Sequence, residues 1–310
     1  MSTQNTISDL DTLQTEAVAD VDLALDQLSV SDLVALMNER DSHIVTAIRS
    51  VEEQIVRAIE AICQRAQGGG RIIYVGAGTS GRLGVLDASE IPPTFGTDNE
   101  TVIGLIAGGK EALVSSIESA EDSEEQGALD LAALTPGERD SVVGIASSGR
   151  TPYVLGALKY AAEHGCLTVG LACNQETPVG RLSHYPIEIP VGPEIVTGST
   201  RLGAGTATKM VLNMISTIAM IRAGKTYKTL MVDVKATNAK LIRRAIRIVT
   251  LATGADAITA SRALDECGWN AKLAIATLVT GLSVSDAAAA LQREGGVLGN
   301  IVEANRGMQQ

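Results

Sequence analysis

Aromatic side chains are scarce in this 310-residue chain: one Trp, one Phe and five Tyr, about 2% of its residues. Hydrophobic residues still make up 45%. The core must therefore be aliphatic, built from Ala, Val, Ile and Leu. Positive charge is in short supply as well, with 25 Lys and Arg against 36 Asp and Glu and a formal net charge of −11. That balance excludes a general electrostatic grip on nucleic acid or on an anionic membrane. A small anionic ligand remains open to it, provided local amides, hydroxyls and a few cations meet the ligand's charge.

Metal-ligating residues are few. There are three histidines, His43, His164 and His184, and four cysteines, Cys63, Cys166, Cys173 and Cys267. No C-x-x-C occurs, and the one close cysteine pair has six residues between its members. A structural zinc site or a disulfide framework is excluded on this spacing, and free thiols in a reducing compartment are expected. The segment Met1–Leu10 is polar and has no signal-peptide pattern. No apolar run is expected to span a membrane. A soluble, cytoplasmic chain is the expectation, long enough for one large domain and a small appendage.

Gly and Pro punctuate the chain unevenly. Neither occurs before Gly68, and all eight prolines lie between Pro92 and Pro193. The flanks should be helical and the middle rich in strands and loops. Ile44, Ile48, Val51, Ile55, Ile59 and Ile62 recur at helical spacing, as one face of a long helix ended by Gly68-Gly69-Gly70. In the middle, strands are expected at 71–75, 101–107, 141–146, 167–172 and 187–191. Helices are expected from about Arg82, over Lys110–Ser123, and from the 147–151 loop through about Glu163. The strands are apolar throughout rather than alternating, so both faces should be covered. That describes an α/β domain with a mostly parallel sheet covered by helices. Long helices follow over about 201–222 and 238–252. Three short periodic segments beyond Gly254 form a small helical C-terminal domain. The expected division is residues 1–252 for the N-terminal helices and α/β domain, and 253–310 for the appendage.

The first strand runs into Gly76-Ala77-Gly78-Thr79-Ser80-Gly81. This matches the dinucleotide fingerprint G-x-G-x-x-G literally. A nicotinamide site also requires an acidic residue at the end of the next strand. Here that strand ends Ile106-Ala107-Gly108-Gly109-Lys110, without a carboxylate. A monophosphate cradle fits better: amides at a helix N-terminus attract an anion, and Thr79 and Ser80 add hydroxyls. A tight turn with solvated hydroxyls would explain this loop alone. It accounts less well for a second strand-to-helix loop of the same kind, Ser147-Ser148-Gly149-Arg150-Thr151, and a third cluster, Thr197-Gly198-Ser199-Thr200, before another helix. Parallel strands bring such loops to one edge of the sheet. A sugar-phosphate pocket is the reading preferred.

Carboxylates are the remaining candidates. Glu90 precedes Pro92-Pro93, which should end its helix beside an apolar segment. Apolar surroundings would raise its pKa and hold a proton in reserve, whereas a solvated helix end would not. Glu118, Glu121, Asp122, Glu124 and Glu125 form an acidic run from which composition selects no member, since such runs usually form a solvated face. Glu194, after Gly192-Pro193, either bonds sugar hydroxyls or caps a turn. Lys209, inside the long helix after Thr200, either counters an anion or lies on a wet face.

These motifs together resemble a known family. The two glycine loops look like those of sugar isomerase (SIS) domains, and the chain more narrowly resembles the N-acetylmuramic acid 6-phosphate etherases. The resemblance is carried by Tyr74 to Gly84 around the first loop, and by Leu86-Asp87-Ala88-Ser89-Glu90-Ile91-Pro92-Pro93-Thr94-Phe95-Gly96. It continues through Gly104 to Gly109, Ala120-Glu121-Asp122, Ser148 to Val154, Gly192-Pro193-Glu194, Met231 to Val234 and Ala236-Thr237-Asn238. These stretches cover nearly the whole chain. The resemblance implies an SIS-type three-layer sandwich, and cleavage of the lactyl ether at carbon 3 of N-acetylmuramic acid 6-phosphate to N-acetylglucosamine 6-phosphate and D-lactate. It also implies no metal and no cofactor, and a homodimer with sites near the subunit interface. Glu90 would be the general acid and Glu121 the second catalytic residue, the base. Substrate contacts would fall on Gly78, Thr79, Ser80, Ser89, Ser147, Ser148, Gly149, Thr151, Glu194, Ser199, Thr200 and Lys209. The chain departs from the family at Ala146, Gly203, Ala19 and Asp22, all at peripheral contacts. A non-catalytic sugar-phosphate sensor and an aldose–ketose isomerase are the competing functions.

Overall fold

The computed structural model describes residues 13–19, 24–234, 236 and 238–308. Asp22 and Thr237, singled out above, and the polar segment Met1–Leu10 lie outside the described residues. The described chain separates into two compact units. One comprises the residues up to Ser89 together with Glu100–Ser216, and the other Glu90–Asn99 and the chain from Thr217.

The first unit is built on five parallel strands. They are β1 (Ile72–Gly76), β2 (Val102–Ile106), β3 (Ser141–Ile145), β4 (Leu167–Ala172) and β5 (Tyr185–Glu188), in the order β2-β1-β3-β4-β5. β1, β3 and β4 are buried at every position, as their unbroken apolar sequences require. Tyr74, Ile73, Val142, Val143, Val169 and Leu171 are at most 1% exposed. Burying each such side chain contributes about 1.5–3 kcal/mol relative to leaving it in water. The amino edge of the central strands is tied by Arg71. Its Nη2 and Nε donate to Asp140 at 2.6 and 3.1 Å, and its backbone N–H donates to the same carboxylate at 2.9 Å. Burial pushes the Asp140 pKa up, but these bonds, with the Gly137 N–H, outweigh it and hold it below the usual value.

Four expectations need correction here. The N-terminal helix is two helices, α1 (Val30–Ser50) and α2 (Glu52–Gln67), parted at Val51 with φ −117° and ψ 19°. The apolar face survives the break, since Ile48, Val51, Ile55, Ile59 and Ile62 are all buried. The helix after β1, α3, starts at Gly78 and runs through Pro92 and Pro93 to Phe95, so the first glycine loop is already helical. The prolines sit in its last turn, and Gly96 N–H bonds Pro92 O at 2.9 Å. Lys110–Ser123 forms two 3-10 turns, Gly109–Leu113 and Glu118–Asp122. Gly108, in left-handed conformation at φ 82°, starts the first. Arg82 takes the carbonyls of Leu113 and Ser115 at its end, at 3.3 and 3.0 Å. The fifth strand starts two residues earlier and ends three residues earlier than expected, at Tyr185–Glu188. The long late helix, α7 (Gly203–Arg222), has by length and composition alone the makings of a membrane-crossing helix. However, 56% of its apolar window is buried, which is the surrounding of a core helix.

Three further helices belong to this unit: α4 (Glu124–Ala132), α5 (Pro152–Glu163) and the short α6 (Pro178–Arg181). α4 accounts for the end of the acidic run. Ser123 caps it by accepting from Gln126 N at 3.0 Å, and Glu124 and Glu125 occupy its first turn, where the helix dipole favours anions.

The second unit carries the hairpin β6 (Thr226–Tyr227) and β7 (Leu230–Met231), then α8 (Ala239–Thr253), α9 (Ala257–Glu266), α10 (Ala271–Thr280), α11 (Val284–Arg293) and α12 (Leu298–Met308). Asn238, Asp256, Asn270 and Ser283 cap α8 to α11. The sequence reading drew its boundary after residue 252. In the structure α8 joins the helices that follow it, because Ala245, Ile248 and Val249 share one apolar cluster with Leu264, Ala274 and Ile275. The fourth helix beyond Gly254, α12, has no counterpart in the sequence reading.

Candidate active site

The chain passes from β1 outward to β2 and then returns to the other side of β1 as β3. Crevices for ligands form at such reversals, outside the carboxyl ends of the strands. The first loop follows β1, the second follows β3, and Gly76 stands in register with Ile145. The two loops therefore emerge side by side, about 5 Å apart in strand spacing.

The first loop is compact because two glycines meet. A Cβ on Gly76 would lie 2.7 Å from Gly81 N, and one on Gly81 would lie 2.7 Å from Gly76 O. Only glycine at both positions lets the strand end and the helix start touch. Ser80 is 7% exposed and Thr79 half-buried. Among the described residues, no side chain accepts from the first amides of α3.

The second loop is fixed from below. Ser147 O accepts from Cys173 N at 3.0 Å and from Asn174 Nδ2 at 2.9 Å. Ser148 Oγ accepts from Arg150 N at 3.3 Å. Thr151 is the N-cap residue of α5, yet its side chain makes no capping bond. Among the described residues, no side chain fills the N-terminus of α5 or that of α3. Cys173 is fully buried, and burial pushes its thiol up to about 12. It therefore stays protonated and serves as packing.

The start of α7 is different. Glu194 is 4% exposed, and its two carboxylate oxygens accept from Gly203 N and Ala204 N at 2.9 Å each. Of the two roles open to Glu194, the structure shows the cap. Gly203 is crowded by this arrangement, since a Cβ there would lie 3.2 Å from Glu194 Oε2 and 3.2 Å from Ile44 Cδ1. The same helix start lies beside the first loop, with Thr79 Cγ2 at 3.6 Å from the Cβ position of Gly205. It also lies beside the end of β4, where Cys173 Sγ donates to Ala204 O at 3.5 Å.

Glu121 is exposed in the 3-10 turn Glu118–Asp122. That turn packs on the end of β2: Ala120 Cβ would be 3.3 Å from a Cβ on Gly108, and Ala107 N bonds Gly76 O at 3.0 Å. Glu121 is therefore held at the same edge of the sheet as the first loop. Ser199 and Thr200 form a turn before α7, with Ser199 N on Val196 O at 2.9 Å. Lys209 is exposed farther along that helix.

Ser89 and Glu90 stand elsewhere, in the fourth turn of α3. Both are exposed, and Ser89 Oγ donates to Leu86 O at 2.7 Å. The apolar surroundings considered for Glu90 are not found around it in the single chain. One turn earlier, buried Asp87 accepts from Tyr74 Oη at 2.9 Å and from Asn213 Nδ2 at 2.6 Å. Burial, then the Asp87 charge, raise the Tyr74 hydroxyl well above its ordinary pKa. This network fixes the rotation of α3 between β1 and α7. Sequence reading missed Asp87 and Asn213, and also Asn174; only the rarity of polar residues in these apolar stretches marked them. Among the described residues no three His, Cys, Asp or Glu side chains gather as around a metal ion.

Comparisons with known proteins bear on the fold and the family. Residues 54–162 match the glucokinase regulatory protein N-terminal SIS domain, and residues 120–221 match the SIS domain. A phosphoheptose isomerase from Francisella tularensis aligns over 63% of this chain and all of its own, at 16% identity and a TM-score of 0.47. An N-acetylmuramic acid 6-phosphate etherase from Mycolicibacterium smegmatis is 50% identical over 93% of this chain and 97% of its own length. The protein of that name from Vibrio atlanticus is 49% identical over 99% of this chain and 100% of its own. With identity at this level over nearly all of both chains, the protein belongs to the N-acetylmuramic acid 6-phosphate etherase family.

Proposed function

We infer that the protein cleaves the D-lactyl ether of N-acetylmuramic acid 6-phosphate, giving N-acetylglucosamine 6-phosphate and D-lactate. This is a step in the recycling of cell-wall amino sugars. The observation that carries the reading is the pair of helix N-termini, α3 and α5, side by side at the point where the strand order reverses, with no capping side chain among the described residues. Two such dipole ends with Thr79, Ser80, Ser147, Ser148 and Thr151 around them suit one phosphate. Gly78 and Gly149, at φ 51° and 69°, turn the backbone toward it.

The chemistry follows from the substrate. With the sugar ring open, the hydrogen on carbon 2 is α to an aldehyde, and a carboxylate base removes it. The electron pair forms the carbon 2–carbon 3 double bond as the carbon 3–oxygen bond breaks. Lactate departs as an alkoxide unless an acid protonates it. Water then adds at carbon 3, its proton passing to the acid's carboxylate, left ionised by protonating lactate, while the base returns its proton to carbon 2. Glu90 serves as the acid and Glu121 as the base, each contributing about 10²–10⁴-fold. No step calls for a cofactor.

The family resemblance supports a cytoplasmic homodimer with its sites near the subunit interface. In this reading Glu194 acts through the start of α7 rather than on sugar hydroxyls.

The test is incubation of the protein with N-acetylmuramic acid 6-phosphate and assay of D-lactate. Release is expected. Binding without release would indicate a sensor, and conversion of an aldose phosphate to a ketose without lactate would indicate an isomerase.

A further inference from the structure

The second glycine loop is held by a residue that no motif marked. Asn174 follows β4, is 2% exposed, and commits its side-chain amide to two distant parts of the chain. Its Nδ2 donates to Ser147 O and to Thr15 Oγ1, at 2.9 Å each. Its Oδ1 accepts from Thr15 N at 3.3 Å. Thr15 is fully buried in the turn Gln14–Glu16, with Leu13 buried beside it. The two polar side chains thus satisfy each other, and the second Nδ2 proton is left for the loop.

The direction of that last bond bears on the ligand. Ser147 O also accepts from Cys173 N at 3.0 Å, so it points to the β4 side of β3. No peptide bond among the described residues is cis, and in a planar trans peptide the carbonyl and the next N–H point opposite ways. Ser148 N–H therefore points to the other side of β3, where β1 and the first loop lie. Among the described residues nothing accepts from Ser148 N. An amide so directed donates to an anion held between the two loops.

We propose that Asn174, locked by Thr15, is a positioning residue for the phosphate. It fixes the Ser147–Ser148 peptide plane with Ser148 N–H facing the first loop, and it makes the N-terminal segment Leu13–Ala17 part of the sugar-phosphate site. The proposal rests on the reading that the loops after β1 and β3 hold the phosphate. Removing the Asn174 amide frees one bond on Ser147 O and leaves Thr15 buried without its partner, so the peptide plane is no longer set.

Calorimetric titration of the full-length protein with N-acetylglucosamine 6-phosphate tests it, with D-lactate release measured alongside. Asn174→Ala is expected to weaken this ligand roughly 10-fold and to raise KM for N-acetylmuramic acid 6-phosphate by a similar factor, with kcat within about 2-fold of wild type. Inorganic phosphate, titrated as a competitor, should lose affinity by the same factor. Thr15→Val, close in shape but without the hydroxyl, should show the same pattern at roughly 3-fold, and Thr15→Ser should restore most of the affinity. These two variants decide the matter if Asn174→Ala does not fold. Weaker sugar-phosphate binding with inorganic phosphate unaffected overturns the proposal, as does a loss of thermal stability with both affinities unchanged. Wild-type protein that binds N-acetylglucosamine 6-phosphate but releases no lactate would overturn the etherase reading instead, and the binding contrast among the variants would still decide the role of Asn174.

Discussion

Helices α3 and α7 start in similar sequence, Gly-Thr-Ser-Gly in one case and Gly-Ser-Thr ahead of Gly203 in the other, yet their first amides meet different fates. On α7, Glu194 already accepts from Gly203 N and Ala204 N. On α3, no described side chain does so. The protein's own anion fills one helix start, and among the described residues no side chain fills the other. The dipole attracts both anions in the same way; what differs is whether the chain itself brings a carboxylate there. In the proposed function α3 is the helix whose start receives the phosphate, and α7 is part of the frame.

The strongest way to break this contrast is through the two glutamates. Glu90→Gln is expected to lower D-lactate release by about 10²–10⁴-fold with little change in substrate binding. Wild-type turnover in that variant would remove Glu90 from the mechanism. Mixing refolded Glu90→Gln and Glu121→Gln chains should restore part of the activity, since one site of a mixed dimer would then be intact. No recovery at any ratio would place both glutamates in the same chain's site. Glu194→Ala should show the opposite profile. Loss of the cap is expected to cost about 1–3 kcal/mol in unfolding experiments, with turnover of the folded fraction close to wild type. A selective loss of turnover without destabilisation would give Glu194 a direct role. The smallest effects sharpen the comparison of the three Ser/Thr clusters. Ser80→Ala and Ser148→Ala should each raise KM by roughly 5- to 10-fold, about 1 kcal/mol. Ser199→Ala, beside the helix start that Glu194 fills, should change KM less than 2-fold in the same assay.

Much of the frame was legible from residue order. The apolar strands at 72–76, 141–145 and 167–172 could be read because strands covered on both faces need no alternation. The break at Val51 could not, because the apolar spacing runs through it unchanged. The length of α3 was misjudged for a related reason. Proline's missing N–H matters little in a last helical turn, so Pro92 and Pro93 do not stop the helix before Phe95. The segment 110–123 was read as helix from composition. Its 3-10 turns depend on Arg82 taking carbonyls some 30 residues away in sequence.

Within the candidate site, the sequence by itself determined the chemistry on offer: hydroxyl- and glycine-rich strand-to-helix loops, an acid before Pro92-Pro93, a second acid in an acidic run, and few cations. These depend on local composition and spacing, which a chain carries into any fold. Tertiary structure alone decided which of those groups are engaged. It brought Glu194 to α7, set Ala120 against Gly108 so that Glu121's turn lies near the first loop, and put Asp87 under Tyr74 and Asn213. Each of those outcomes depends on contacts between residues distant in the chain, and on carboxylates that bond whichever partner the packing brings within about 3 Å.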